Sequence, residues 1–425
     1  MTETSVVTVF LRHRGDVLLL RRSDEVGSYP NRWGAVAGHV ETTDPLDSAL
    51  DEIREKTGLA ARDVTLVRQG PSFSVTDEDR GARWTVHPFL FDAHARDVDP
   101  NWETTEADWA APTVLLRRDT VPELWTSYRR VAPSVVGLKN DTSHGSAYLS
   151  LRALEVLRDR AALLAVTDAP DVDDARARLA ETAHRLLAAR PSMAALANRL
   201  HRVLHTCAPG LAPADVEKRA HAAVAEAVEA DAAAARRTAD RIAGQRVLTL
   251  SRSGTVLDAL LRAEPAPDVV IADSRPGGEG IGVAETLADA GLDVSLIPDA
   301  AVATTLTDPD FDAVLVGADT LRPSGALINK VGTRSVALAA RHEGVPVYAA
   351  TAADKIAVDN DTTAPEEYDP KAVYNGPAPV GVWAPRFDTT PPALVTEFLT
   401  DRGVLGPDAI DAVADDLRAL REWST

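Results

Sequence analysis

The chain has 425 residues, with 45 lysine plus arginine against 64 aspartate plus glutamate, a formal net charge of −19 and a pI near 5.0. That length exceeds one ordinary core and predicts two domains, the second with a helical subdomain. The acidic balance argues against binding a nucleic-acid backbone, because no concentrated basic patch stands out and clusters such as Arg117-Arg118, Arg129-Arg130 and Arg236-Arg237 are short and isolated. No run of eighteen apolar residues and no amino-terminal apolar segment occurs, so neither export nor membrane insertion is expected. A single cysteine, Cys207, allows no intrachain disulfide, reads as a structural thiol and points with the rest to the cytoplasm. Only six of the 45 basic residues are lysine, which with the acidic excess suggests a salt-adapted, haloarchaeal protein.

Residues 5–22 read as a hairpin, with Val6-Val7-Thr8-Val9-Phe10-Leu11 and Val17-Leu18-Leu19-Leu20 flanking Arg14-Gly15-Asp16. Next come Asn31-Arg32-Trp33-Gly34-Ala35-Val36-Ala37-Gly38-His39-Val40-Glu41 and a helical run ending in Glu55-Lys56-Thr57-Gly58-Leu59. This segment resembles the Nudix fold, whose signature helix carries Arg-Glu-x-x-Glu-Glu-x-x-Gly-like carboxylates. Residues 1–117 are therefore expected to form a Nudix-like α/β/α sandwich. Positions i, i+3 and i+4 share a helix face, so glutamates there hold Mg2+ or Mn2+ against a diphosphate. Glu52 and Glu55 keep the metal-ligand positions, whereas Asp51 replaces the arginine and Lys56 the last glutamate. Mg2+ at the Nudix site would rest on Glu52 and Glu55, with Lys56 disfavouring it and hydrolysis weak or absent. The plain alternative is that Asp51, Glu52 and Glu55 form the solvated face of an acidic helix. Trp84–Phe91 reads as a Nudix strand, and residues 101–109 resemble the Glu-rich loop before the last helix of that fold. A degenerate domain of this kind that still bound a nucleotide would regulate its neighbour.

Residues 118–133 are expected to be a linker. Residues 134–245, rich in Ala, Leu and Arg with helical periodicity broken by Pro170, Pro191 and Pro209, should form a helical subdomain. The Ala-rich stretch 220–235 reads as a packed helix. Ser143, His144 and Ser146 head a long helix, where His144 either contacts a phosphate or serves as a cap.

From 246 to 425 the pattern changes to apolar runs separated by helical segments: 268–273, 293–298, 311–319 and 345–348. Such runs indicate a Rossmann-like parallel sheet covered on both faces, with ligands at the carboxyl ends of the strands. There the sequence places Ser274-Arg275-Pro276-Gly277-Gly278-Glu279-Gly280, then Asp319, then Asn329-Lys330-Val331-Gly332-Thr333. Glycines free backbone N–H groups to face an anion, and Arg275 and Lys330 add full charges, so a phosphorylated small molecule is the natural ligand. The structural alternative makes Asp319 a loop-ordering carboxylate, Arg275 a surface ion-pair partner and Lys330 part of a solvated face.

Ser-Arg-Pro-x-x-Glu-Gly, Val-Gly-Ala-Asp (316–319), Asn-Lys-x-Gly-Thr (329–333) and Phe387-Asp388-Thr389-Thr390-Pro391-Pro392 together resemble one family. It joins translation initiation factor 2B α, β and δ subunits to ribose-1,5-bisphosphate and methylthioribose-1-phosphate isomerases, and the match spans roughly 134–425. The resemblance implies that Asp319 acts as acid/base and that Arg190, Arg275, Asn329 and Lys330 hold a sugar phosphate or nucleotide. It also implies a homodimer or higher assembly. The cysteine turn of the isomerases aligns with Leu248–Gly254, so Ser251 stands in place of cysteine and Arg252 in place of asparagine. A serine needs an adjacent base to react, and losing one positioned acid/base group removes about 10²–10⁴ in rate. Three functions follow: a sensing or regulatory sugar-phosphate- or nucleotide-binding protein, an aldose–ketose isomerase using Asp319 with Ser251 or water, or a Nudix hydrolase of nucleoside diphosphate derivatives.

Overall fold

The computed structural model describes residues 2–78, 80–141, 143–167, 172–208, 210–360 and 366–424. They divide into two units, one of residues 1–137, 154–182 and 210–225, the other of residues 138–153, 183–209 and 226–425.

In the first unit, strands β1 (Thr2–His13), β2 (Asp16–Arg22), β3 (Trp33–Gly34), β4 (Val36–His39), β5 (Val64–Gln69), β6 (Phe73–Asp77), β7 (Ala82–Ala93) and β8 (Thr104–Ala110) form one mixed sheet. The expected hairpin is β1–β2, and β1 continues alongside β7 in parallel and β4 in antiparallel register. Helix α1 (Pro45–Thr57) starts at Asp44, whose carboxylate accepts from the Leu46 N–H, and ends at Gly58 in the left-handed region at φ 75°. Alternate strand residues face opposite sides. Val7, Val9, Phe89 and Phe91 pack with Ala49 and Ile53 of α1, while Phe10 and Leu90 pack with Leu124, Tyr128 and Val131 of α2 (Leu124–Val131). The expected α/β/α sandwich is present, and α2 lies within the segment expected as linker.

Helices α3 (Val135–Asn140), α4 (Ser146–Val166), α5 (Val172–Ala189), α6 (Ala194–Cys207) and α7 (Pro213–Ile242) follow. The later turns of α4 join the first unit through buried charge. Arg158, fully buried, donates to the Gly15 carbonyl at 2.8 Å, to the Tyr128 hydroxyl at 3.3 Å and to Asp159 at 2.8 Å. Glu155, equally buried, meets Arg12 at 3.3 Å, and Arg12 also pairs with Asp92 at 2.7 Å.

In the second unit, β9 (Arg246–Leu250), β10 (Asp268–Ala272), β11 (Val294–Ile297), β12 (Ala313–Gly317), β15 (Val347–Ala350), β17 (Glu397–Thr400) and β18 (Gly403–Leu405) make a sheet ordered β11-β10-β9-β12-β15-β17-β18. Every pair is parallel except β17–β18. On one face Leu248, Val270 and Val314 pack with Ala337 of α11 (Thr333–Glu343) and Ile410 of α12 (Pro407–Ala419). On the other, Val247, Val269 and Leu315 pack with Leu260 of α8 (Gly254–Arg262), Leu287 of α9 (Glu279–Asp289) and Ile242. Coverage of both faces explains the uninterrupted apolar runs. A β-carbon on Gly280 would stand 2.0 Å from the Ala272 carbonyl oxygen, so only glycine lets α9 start this close to β10. A short helix α10 (Val302–Thr305) precedes β12. A second sheet of β13 (Thr320–Leu321), β14 (Leu327–Lys330) and β16 (Phe387–Thr390) joins the end of β12.

The order of the parallel sheet reverses between β9 and β12, the first strand and the fourth. Such a reversal opens a crevice at the carboxyl ends of the two strands. Among the described residues no helix is long and apolar enough to cross a membrane.

Replacing Arg158 by alanine strands Glu155 and Asp159 in the interior. The expected loss is about 3–5 kcal/mol, as for breaking a buried ion pair from one side, read from denaturant unfolding of the full chain; a loss under about 1 kcal/mol would mean that the network is screened like a surface pair.

Candidate functional site

The crevice between β9 and β12 is flanked by two of the sequence-predicted residues. Ser251 follows β9 with φ 62°, its N–H held by the Ser274 hydroxyl at 2.6 Å. Asp319 follows β12, its own N–H donating to the Ile328 carbonyl at 3.0 Å. The Ser146 hydroxyl, at the start of α4, lies 3.5 Å from the Asp319 carboxylate.

Lys355, 5% exposed, donates its ammonium to the carbonyl of Ala318, the residue before Asp319, at 2.7 Å. The short turn Ala353–Lys355 is fixed by Asp354, which accepts from Arg199 at 3.0 Å and Arg202 at 2.6 Å. Burial pushes the Asp319 carboxyl above the usual aspartate value, the nearby Glu366 charge adds to this, and Lys355 opposes it. Burial likewise pushes the Lys355 ammonium below the usual lysine value, with Asp319 opposing. Asp319 opens on a cavity of about 220 Å³ whose walls include Ser192, Glu366, Glu367, Trp383, Phe387 and Asp388.

The predicted anion ligands are divided in their engagements. Arg190 is mostly buried, donates through Nε to the Leu138 carbonyl at 2.9 Å and stands 3.9 Å from Glu366, while its Nη2 makes no hydrogen bond among the described residues. Lys330, also buried, is held by both Glu279 oxygens at 2.7 and 2.6 Å and by the Tyr368 hydroxyl. Burial lowers the Lys330 pKa, and the bonds to Glu279 oppose that. Asn329 donates to the Thr333 hydroxyl at 3.1 Å. Arg275 is exposed and bridges to Asp273 at 3.0 Å. His144 is exposed, pairs with Asp141 at 2.8 Å and stacks on Tyr148 at 4.0 Å between ring centres. Arg252, standing where the isomerases have asparagine, donates to the Ser143 carbonyl. Asp388 accepts from the Gly332 and Arg334 N–H groups at 2.8 and 3.1 Å and so closes the start of α11.

On α1 of the first unit, Glu52 lies so close to β4 that a β-carbon on Gly38 would be 1.6 Å from its Oε1. Lys56, one turn on and 8% exposed, sits 3.5 Å from Glu52 and 2.5 Å from Glu103. Burial raises the Glu52 pKa, opposed by Lys56. Glu55 is exposed and meets Asn101 at 3.5 Å. The ammonium of Lys56 thus fills the space between the carboxylates that a divalent cation would bridge, and these residues do not fit Mg2+ or Mn2+. Among the described residues no group of three or more His, Cys, Asp or Glu is arranged to hold a metal ion.

The structure brings Asp319, Ser251 and Ser146, all singled out in the sequence, to this end of the sheet, together with Lys355, Glu366 and Trp383, which carry no motif of their own. Lys355 was the most accessible of these, as one of only six lysines, in a turn directly after a strand.

Residues 142–407 match the model of the initiation factor 2 subunit family, and residues 1–131 that of the NUDIX domain. A methylthioribose-1-phosphate isomerase of Gemmatimonas aurantiaca is 36% identical over 253 residues, 55% of this chain and 73% of the relative. A ribose 1,5-bisphosphate isomerase of Haloferax volcanii is 33% identical over 290 residues, 63% of this chain and 85% of the relative. In fold, the chain is similar to the Pyrococcus horikoshii OT3 translation initiation factor eIF-2B, with a TM-score of 0.55 and 24% identity over 64% of this chain and 94% of that one.

Replacing Lys56 by glutamate puts a third carboxylate where the ammonium was. Added Mn2+ should raise the melting temperature of that variant and leave the wild type unmoved; an equal Mn2+ shift in the wild type would show that Lys56 yields to the metal.

Proposed function

The chain belongs to the initiation factor 2 subunit family and carries a NUDIX domain, and on that footing we propose that its parallel-sheet domain binds a phosphorylated pentose and interconverts aldose and ketose at Asp319. The observation that carries this reading is Asp319 opening on the cavity at the strand-order reversal, with the buried Lys355 ammonium held on the carbonyl of the preceding residue, Ala318.

An aldose–ketose shift needs no outside oxidant, since C2 is oxidised as C1 is reduced. The ring C1–O bond opens as its oxygen takes up a proton, the Asp319 carboxylate takes the proton from C2 to give an enol whose C1 oxygen carries the phosphate, and the resulting carboxylic acid returns that proton to C1 while the C2 hydroxyl gives up its own, which replaces the proton taken by the ring oxygen. A carboxyl raised above its usual pKa is a stronger base than a solvated one and suits both halves of this step. Lys355 supplies a fixed positive charge that keeps the carboxylate form accessible in a buried setting. That Arg190 Nη2 has no partner among the described residues supports an anion nearby, because a buried guanidinium N–H left unpaired is costly. The relatives named as isomerases of methylthioribose 1-phosphate and ribose 1,5-bisphosphate support the substrate class. In this reading the NUDIX domain does not hydrolyse nucleoside diphosphate derivatives, since Lys56 stands in the metal position.

A second reading, binding without turnover, is favoured by Ser251 in place of cysteine and by the engagement of Lys330 with Glu279. It gives the protein sensing or regulatory work on the same ligands.

The test is ketose formation from pentose 1-phosphates in molar KCl by wild type, Asp319→Asn and Lys355→Met. Wild-type turnover reduced about 10²–10⁴-fold in Asp319→Asn, with ligand binding retained, is the expected result. Ligand-induced stabilisation of the wild type without turnover selects the second reading, and absence of both rejects the site.

The pH profile adds a signed expectation. Activity rises as Asp319 ionises, at a pH above the ordinary ~3.9 of aspartate, and falls as Lys355 loses its proton, below the ordinary ~10.4 of lysine. Lys355→Met removes the charge that holds the carboxyl down, so its acid limb moves to higher pH; a limb that stays in place would separate the two groups.

A further inference from the structure

We propose that Glu366 is the second acid/base of this site, giving its proton to the ring oxygen as the C1–O bond opens and recovering one from the C2 hydroxyl; this rests on the isomerase reading above.

The reaction moves two protons besides the one that passes through Asp319, one onto the ring oxygen and one off the C2 hydroxyl. A single group carries both only if it starts as an acid, becomes a base when the ring opens and ends as an acid again. A carboxyl group does this, whereas a hydroxyl needs a base beside it. Ser251, standing where the isomerases have cysteine, is not among the described walls of the cavity over Asp319, and Glu366 is. Of the other carboxylates on that wall, Asp388 is tied to the Gly332 and Arg334 N–H groups and Glu367 is exposed. Glu366 is half-buried, and its Oε1 accepts from the Ser192 hydroxyl at 2.6 Å. Its backbone is held as well: the Glu366 carbonyl accepts from the Arg386 N–H at 2.9 Å, and two residues on the Tyr368 N–H donates to the Ala384 carbonyl at 2.8 Å. Oε2 lies 3.9 Å from Arg190, too far for a hydrogen bond.

The surrounding charges separate the two carboxyl groups. Asp319, pushed up by burial and by the Glu366 charge, is drawn back towards the carboxylate by Lys355 and Arg386. A phosphate seated on Arg190 occupies that guanidinium and sets negative charge beside Glu366, which favours the carboxylic acid there. Ring oxygen and phosphate oxygen are both bonded to C1, so a phosphate at Arg190 brings the ring oxygen towards the acid next to it. The cycle then balances. Glu366 protonates the ring oxygen, which leaves C1 with the bonding pair; Asp319 takes the C2 proton and returns it to C1; the Glu366 carboxylate takes the C2 hydroxyl proton as the C2 carbonyl forms. Both carboxyl groups end as they began.

Proton uptake on binding ribose 1-phosphate is measured by calorimetry in molar KCl, in two buffers of different ionisation enthalpy, for Asp319→Asn and for Asp319→Asn/Glu366→Gln. Asp319→Asn holds the ligand without turning it over, and protonation of the phosphate itself is common to both. Ketose formation is followed in parallel for wild type and Glu366→Gln. Asp319→Asn should take up about one proton more per ligand than the double variant, and ketose formation should fall about 10²–10⁴-fold in Glu366→Gln. Glutamine keeps the size of the side chain and an acceptor for Ser192, so Glu366→Gln should melt with the wild type. Equal proton uptake in the two Asp319→Asn proteins, or ketose formation by Glu366→Gln at the wild-type rate, overturns the proposal and leaves Asp319 standing. No ketose from wild type with any pentose 1-phosphate overturns both.

Discussion

The carboxylate of Asp319 ends a strand whose five residues are all buried, and nearly everything around it can be read as a response to that placement. Taking a carboxylate out of water is costly unless opposite charge or hydrogen bonds stand by it. Lys355 supplies the charge, yet it is buried too and must itself be held, which the Ala318 carbonyl does directly and the Asp354–Arg199–Arg202 cluster does through the backbone turn. The result is a pair whose members are each driven towards neutrality by burial and towards ionisation by the other.

How much of this was legible in the sequence depends on the range of the interaction. The uninterrupted apolar runs announced a parallel sheet, and the end of the 311–319 run set Asp319 just after a strand, because a strand and the residues after it are local facts, whereas Ser251 was singled out by the likeness of Leu248–Gly254 to the cysteine turn. The partner lysine was not legible. It comes from a turn 36 residues on, and nothing in Ala353-Asp354-Lys355 tells that the chain returns beneath Asp319. Ser146, 173 positions from Asp319, is further out of reach. The sequence set Lys330 beside Asn329 as an anion ligand, and the structure holds its ammonium on Glu279, from the same set of motifs. Glu279 and Lys330 are 51 residues apart, and their pairing depends on how α9 and β14 meet.

The amino-terminal part shows the reverse case. Glu52, Glu55 and Lys56 lie on one helix, so their spacing alone showed that a positive charge had entered a carboxylate face. Structure adds that Lys56 points inward to Glu52 and Glu103 instead of outward to solvent. Lys56 thus neutralises two carboxylates from within the domain. The same economy of buried charge appears at Arg158, where helix α4 meets β1 and α2 through guanidinium and carboxylate groups instead of an apolar seam.

The account stands most directly on where the ligand sits, and a crystal structure of the Asp319→Asn protein with a pentose 1-phosphate in molar KCl addresses it. The sugar carbons should lie within hydrogen-bond reach of position 319, with C1 and C2 turned towards it and the phosphate near Arg190. A ligand found elsewhere, whether among Glu52, Lys56 and Glu103 or on the outer face of the sheet, would contradict the assignment of this cavity as the site.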